Sequence, residues 1–334
     1  REFRFRGRYF ENTFGQQGVN GFIFHPVEGA KYRRNYEKIA RDLNVFRDKN
    51  DWKKAIELIR KLCWDDLFFL MYFVLGWGDM NHPWLVDRAN EVNDNRHKTL
   101  DVWSRYHYKS SIITVAGTIQ DALRDPMIRG CIFSHTKSIA KDFLRRIKTI
   151  LETNGLLAAA FEDVIPANPM NTKGWLWSLD DGLQLKCGNE IGGTLQASGL
   201  IDSMPTGKHF TRRIYDDVVT REAVSTSEQR NKVSECVKLS HALGDPKNGT
   251  HCFIGTRYHF GDFYGELIRG GGYTVREYAC THNGAFPAKP VGAEDDVSPL
   301  GDGRAVLYTQ DHIWEEFKNM GTATFASQML MDPI

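Results

Sequence analysis

Leu100-Asp101-Val102-Trp103-Ser104-Arg105-Tyr106-His107-Tyr108-Lys109-Ser110-Ser111 joins a short apolar run to a helical pattern that continues to residue 123 and stops before Asp125-Pro126. The first four residues read as a strand, and the helix opens at Ser110. A phosphate-binding loop needs such a junction, because the backbone N–H groups at a helix start face the phosphates. A lysine then reaches the β/γ oxygens and a hydroxyl meets Mg²⁺. Lys109-Ser110 occupies the last two positions of G-x-x-x-x-G-K-[ST], but Trp103 and Tyr108 stand where the glycines belong. Taken alone, the stretch fits a solvated lysine at a helix start as well as a phosphate loop.

Outward from it, strand and helix alternate for some 150 residues. Gly130-Cys131-Ile132-Phe133 reads as a strand; Ile139, Ala140, Phe143, Leu144, Ile147 and Leu151 mark one face of a helix that ends at Asn154-Gly155. Residues 175–179 and 183–187 flank Asp181-Gly182, a hairpin signal. Arg213-Ile214-Tyr215 leads as a strand into Asp216-Asp217, Ser225-x-x-Glu228 has capping-box spacing, and Cys252-Phe253-Ile254 is a further short strand. The pattern predicts an α/β sheet, largely parallel, with an inserted hairpin.

Residues 1–95 differ. Arg4, Arg6 and Arg8 alternate with neighbours that include aromatics, as in a strand or basic arm, and residues 35–77 carry apolar side chains at spacings of three and four. The aromatic run 67–77 reads as buried core. Residues 281–304 are rich in Gly, Pro and Asp and suit an irregular connector, with two short helices expected at 309–320 and 324–330. The domain reading is therefore 1–95, mainly helical with a basic arm, 96–260, the α/β core, and 261–334, a lid or linker.

Composition narrows the function classes. Over 334 residues, 43 Lys+Arg against 42 Asp+Glu leave a net charge of +1, so any nucleic-acid contact must come from local patches. The longest apolar run, 67–77, is about half the roughly 20 residues of a membrane span, and the N-terminus lacks signal-peptide layout. Cysteines 63, 131, 187, 236, 252 and 280 form no C-x-x-C pair and read as reduced thiols, which makes the sequon Asn248-Gly249-Thr250 a coincidence. The chain starts at Arg1 without Met, so the reading frame is expected to extend further.

Two further strand ends carry chemistry. In Arg212-Arg213-Ile214-Tyr215-Asp216-Asp217-Val218-Val219, adjacent carboxylates after a buried strand are costly unless something compensates them. A Mg²⁺ ion on the first would do so, while the second orients water; a helix-capping Asp pair is the plain alternative. Phe253-Ile254-Gly255-Thr256-Arg257-Tyr258-His259 offers a polar Thr-Arg that could sense a γ-phosphate or simply leave the strand. Together the three sites, in the order Lys109, Asp216, Thr256, each close a predicted parallel strand, where α/β sheets bind ligands.

With these motifs in view, the chain from about Asn81 onward resembles the ATPase portion of the large terminase subunit of tailed bacteriophages. Ser104-Arg105 through Lys109-Ser110 is similar to that family's deviant Walker A, opened by Arg and closed by Lys-Ser/Thr. Phe133-Ser134-His135-Thr136-Lys137-Ser138-Ile139-Ala140 looks like the segment after its second core strand. Thr206-Gly207-Lys208-His209, followed by residues 214–219, resembles the approach to Walker B, and Gly255-Thr256-Arg257-Tyr258-His259 with Asp262 the coupling motif. Phe325-Ala326-Ser327-Gln328 with Pro333 resembles the exit from the ATPase region. Two departures stand out: Tyr108 replaces the glycine before the Walker A lysine, and Walker B ends Asp-Asp where many of these motors have Asp-Glu.

The resemblance implies a P-loop NTPase (ASCE/RecA-like) core with a mainly parallel sheet flanked by helices, a helical N-terminal region and a small C-terminal lid or linker. It implies ATP and Mg²⁺ as cofactors. Nucleotide would contact Ser104, Arg105, Tyr106, His107, Tyr108, Lys109, Ser110, Ser111, Thr256 and Arg257, with the metal on Ser110 and Asp216. Lys109, Arg105 and Asp217 would be catalytic, and Asp217 would polarise water. Implied partners are double-stranded DNA, a portal protein, a small terminase subunit and further copies in a ring, in the cytoplasm of a bacterial host and transiently at the procapsid portal. Arg129, Arg145, Arg146, Arg212 and Arg213 are candidates for an arginine supplied in trans. The family's nuclease domain is expected to be absent from a chain that stops at Ile334. A helicase-like translocase and a non-hydrolysing scaffold are the competing readings.

Overall fold

The computed structural model describes residues 21–167, 169, 174–186 and 193–333, so the basic arm at 1–10 and Cys187 lie outside the described residues. An eight-stranded, mostly parallel sheet organises the chain in the order β3-β4-β5-β2-β6-β7-β1-β8. Its strands are β1 (Thr99–Trp103), β2 (Gly130–Ser134), β3 (Trp177–Ser178), β4 (Gly182–Leu183), β5 (Leu195–Gly199), β6 (Arg212–Asp216), β7 (Thr250–Gly255) and β8 (Thr274–Tyr278). β1, β2 and β6 are buried at every residue, as expected for parallel strands covered on both faces. β1 runs parallel to β7 and β8, and β6 parallel to β2 and β7, while β3-β4 and β4-β5 pair antiparallel.

β8 falls beyond the core boundary expected at residue 260, yet it pairs with β1 along all five of its residues. A buried ion pair ties the two strands: Arg276 Nε lies 2.7 Å from Asp101 Oδ1. The hairpin exists with a shifted turn. Gly182 belongs to β4, opposite Ser178, and its φ of +106° is one that side chains rarely adopt.

The chain divides into two compact units. One holds residues up to Asn95 together with Val115–Arg129 and Phe143–Gln196; the other holds Arg96–Thr114, Gly130–Asp142 and Ala197–Ile334. In the first unit, α1 (Tyr36–Asp48) and α2 (Trp52–Asp65) are capped by Asn35 and Asp51, whose side chains accept from Lys38 N and Lys54 N. The stretch expected to be core is buried at Leu67, Phe68, Phe69, Leu70, Met71 and Val74, but its helix tightens and then loosens: Leu67–Phe69 is α-helical and Leu70–Val74 π-helical. α3 (Pro83–Asp94) follows with proline at its start, where no intrahelical N–H is lost. Trp64 Nε1 donates to Leu123 O in α4 (Gly117–Arg124), and Arg60 pairs with Asp163, so the first 95 residues pack with later parts of their own unit.

In the second unit, Leu100, Val102, Phe133, Tyr215 and Phe253 from the strands form one core with Val233 and Val237 of α7 (Ser227–His241) and with Phe263 and Tyr264 of α8 (Phe263–Gly270). A smaller core joins Cys280 to Ile313, Trp314 and Phe317 of α9 (Gln310–Met320) and to Phe325 and Met329 of α10 (Thr322–Met329). α5 (Lys137–Thr153) begins in this unit and continues into the first from Phe143 on, where α6 (Gly155–Ala160) follows. The capping residue of α7 is Thr226, one position after the expected Ser225. Ser225 has helical dihedrals, whereas Thr226 is extended and its hydroxyl accepts from Gln229 N at 3.2 Å. No helix among the described residues is long and apolar enough to cross a membrane.

Candidate functional site

β1 delivers the chain into residues 104–109 at its C-terminal end, next to the ends of β7 and β6. Asp101 and Asp216 are both in register with Ile254, so the three strands end close together, β1 running two residues past Asp101. Beyond β1, Ser104, His107 and Lys109 are buried while Tyr106 is exposed. Tyr106 and Tyr108 adopt φ of +65° and +60°. A non-glycine residue there costs about 1–2 kcal/mol, so the loop reaches without glycine a backbone shape that glycine would adopt freely. Tyr108 O then accepts from Ile112 N at 2.9 Å, starting the helix. The expected α-helix opens instead as a π-helical turn, Ser110–Ala116, before α4 begins. π-helical turns are frequent at functional sites.

That turn aims two hydroxyls at one carboxylate. Ser110 Oγ donates to Asp216 Oδ1 at 3.0 Å, and Thr114 Oγ1 donates to Asp216 Oδ2. Asp216 is fully buried at the end of β6, and burial, followed by the charge of Asp217, raises its carboxyl above the usual carboxylate range. The Thr114 hydroxyl, the Lys109 ammonium and the Ser110 hydroxyl pull in the opposite direction. Asp217 has φ +47°, its N–H still bonds Ile254 O at 2.9 Å, and its Oδ1 is buried without a hydrogen-bond partner. A buried acceptor left open in this way costs about 1–3 kcal/mol. Hydroxyl plus carboxylate is a hard oxygen donor set that suits Mg²⁺, which keeps several waters and takes phosphate oxygens. Among the described residues no group of three or more His, Cys, Asp or Glu side chains could hold a metal, so an ion here would need such outside ligands.

At the end of β7, Thr256 is buried and Arg257 nearly so. Arg257 Nε lies 3.3 Å from Asp262 Oδ1 and its Nη1 3.9 Å from Glu277 Oε2. Asp262 also caps α8 and accepts from the backbone N–H groups of Tyr258 and His259, which fixes the loop. Gly255 is obligatory: a Cβ there would meet Tyr264 Oη at 2.3 Å. Arg105 donates to Tyr258 Oη at 2.5 Å and to Gln328 Oε1, and its N–H bonds Gln328 O at 3.1 Å. A cleft of about 470 Å³ opens beside it, lined by Arg105, Arg221, Glu222, Tyr258, Thr324 and Gln328.

The structure thus brings together Ser110, Asp216, Asp217 and Lys109, and sets Arg105 and Tyr258 on a separate, shared cleft. It removes two arginines from the five considered for action in trans: Arg212 and Arg213 are buried at the start of β6, bonded to Arg96 O and Ser240 O. Sequence reasoning missed Thr114 and Tyr308, and named Gln328 only as part of the exit segment, not as a partner of Arg105. Thr114 is signalled by its position four residues after Ser110, on the same helical face; the other two lie some 200 residues from the loop they touch. No protein-family model matches the chain, and no curated protein matches it.

Proposed function

We propose that this chain is the ATP-hydrolysing motor portion of a tailed-phage terminase large subunit, which moves double-stranded DNA into a procapsid in the host cytoplasm. The observation that carries the reading is the joint grip of Ser110 and Thr114 on the buried Asp216, one strand beyond β7 from the loop that ends in Lys109. A P-loop core of the ASCE type has an additional strand between its phosphate loop and its metal carboxylate; β7 is in that position.

Lys109 would neutralise the β/γ-phosphates, and the N–H groups opening the π-helical turn would bind phosphate oxygens. Ser110 and Asp216 would hold Mg²⁺, which supplies charge neutralisation on those oxygens when bound. Asp217, whose Oδ1 is open, would accept the proton of the attacking water. Thr256 and Arg257 sit one strand away on a rigid loop, suited to reading the γ-phosphate. Arg105 reaches a phosphate only by releasing Tyr258 and Gln328. The portal, the small terminase subunit and neighbouring copies are partners on the same proposal.

Mg²⁺-dependent ATP turnover by the purified chain, rising with double-stranded DNA and lost in Lys109→Ala while the fold persists, is the expected result. An absence of turnover under every nucleotide and DNA condition would overturn the reading. Strand separation on a forked duplex would reassign it to a helicase-like translocase.

A further inference from the structure

The loop at 104–109 holds two tyrosines in the left-handed region, one of them, Tyr108, where a phosphate loop has glycine, so something must hold it there. Its contacts identify the restraint. Tyr308, just before α9, donates from its hydroxyl to Tyr106 O at 2.6 Å, and its ring meets His107 edge-on with centroids 5.5 Å apart. Gln328 of α10 bonds Arg105 twice, through its backbone carbonyl to the N–H at 3.1 Å and through its side chain to Nε. Ser104 Oγ lies 3.5 Å from Met329 Sδ. Inside the loop, His107 Nδ1 is 2.7 Å from Arg105 O. Each of Ser104, Arg105, Tyr106 and His107 therefore has a contact with the segment from Tyr308 to Met329, and that segment is anchored by its own core of Trp314, Phe317, Phe325 and Met329.

We infer that Tyr308 and Gln328 are positioning residues that hold the glycine-free loop in its phosphate-competent backbone shape, doing by external restraint what a glycine at position 108 would do by conformational freedom. The Tyr106 carbonyl is the decisive point. It belongs to the peptide that joins left-handed Tyr106 to His107, and a hydrogen bond there limits the rotation of that peptide. The ligand-binding part of this inference rests on the ATP reading; the restraint itself does not.

Tyr308→Phe deletes the hydroxyl and keeps the ring against His107, so the core around α9 survives. Hydrogen exchange of the full chain, without nucleotide, should show faster exchange at 105–109 in this variant, with β6 and β7 unchanged. Calorimetric titration with MgATP should show an apparent Kd about three- to tenfold weaker, because one hydrogen bond's worth of competent population is lost, while kcat at saturation changes less. Adding Tyr108→Gly to Tyr308→Phe should bring the Kd back towards the parent value, since glycine takes φ +60° unaided. Gln328→Ala should reproduce the faster loop exchange. Unchanged exchange at 105–109 in both single variants, or a weakened Kd that Tyr108→Gly leaves weakened, would overturn the inference. A parent protein that binds no ATP would remove the nucleotide reading, and the exchange experiment would still decide the restraint.

Discussion

The two ends of β6 carry opposite charges and hold them with different partners. At its start, Arg212 and Arg213 are as buried as any core residue, yet their guanidiniums are bonded: Arg212 to Arg96 O and within 3.2 Å of Cys252 Sγ, Arg213 to Ser240 O and Tyr215 Oη. Around them sit His97, His241 and His251, with neighbouring ring centroids 5.5 and 5.3 Å apart. Four residues after Arg212, Asp216 is gripped by two hydroxyls, and Asp217 keeps an oxygen without a partner. Buried charge therefore does two jobs on one strand. The guanidiniums bond backbone carbonyls of neighbouring segments and support the sheet, while Asp217 Oδ1 stands without a partner beside the two hydroxyls that hold Asp216. Burial alone does not distinguish the two ends; the hydroxyls and the lysine gathered beside the carboxylates do.

The sharpest test of that contrast is the carboxylate end. Asp217→Asn should retain MgATP binding and lose turnover by about 10²–10⁴-fold, because an amide cannot take water's proton. Asp216→Ala should lose Mg²⁺-dependent binding itself. Parallel calorimetry and phosphate release separate the two, and equal loss of binding in both would erase the division of roles.

At the other end, Arg213→Leu should destabilise the fold by about 1–3 kcal/mol through loss of the charged hydrogen bond to Ser240 O, a shift of a few degrees in Tm. Its affinity for MgATP should stay at the parent value. A variant that melts normally but binds nucleotide poorly would move Arg213 from the scaffold to the site.

The smallest effect is in pH. Burial first, then Arg213, His241, His97 and Arg212, pushes His251 down to about 3. Its folded pKa is depressed, so its contribution is full above the unfolded value near 6.5 and is lost as pH falls towards 3. At pH 5 that loss reaches at most about 2 kcal/mol. His251→Gln should accordingly narrow the Tm difference between pH 7 and pH 5. An unchanged difference would exclude His251 as a source of acid lability.

Much of this was legible in the sequence. β1, β2, β6 and β7 each carry a short apolar run, and polar residues at three of their C-terminal ends pointed to the candidate site. β8 was not legible because in an edge position its inward residue is Arg276, which pairs with Asp101; polar residues fill the place where a hydrophobic pattern would look for valine. Thr114 was hidden inside Ile112-Ile113-Thr114-Val115, which reads as core. The loop's shape was hidden for a different reason. Tyr106 and Tyr108 have no intrinsic preference for a left-handed backbone, and the residues that hold them there are remote in sequence.

The chain passes between its two compact units at residues 95, 114, 129, 142 and 196. As a matter of inheritance, the first 95 residues are therefore no cassette. A fragment beginning at Arg96 would bring Leu123 and Asp163 without Trp64 and Arg60, and a fragment ending at Asn95 would bring the reverse. Recombination that swaps this N-terminal region between relatives must swap the matching surfaces of 115–129 and 143–196 with it, so variation in the three segments is expected to be inherited together.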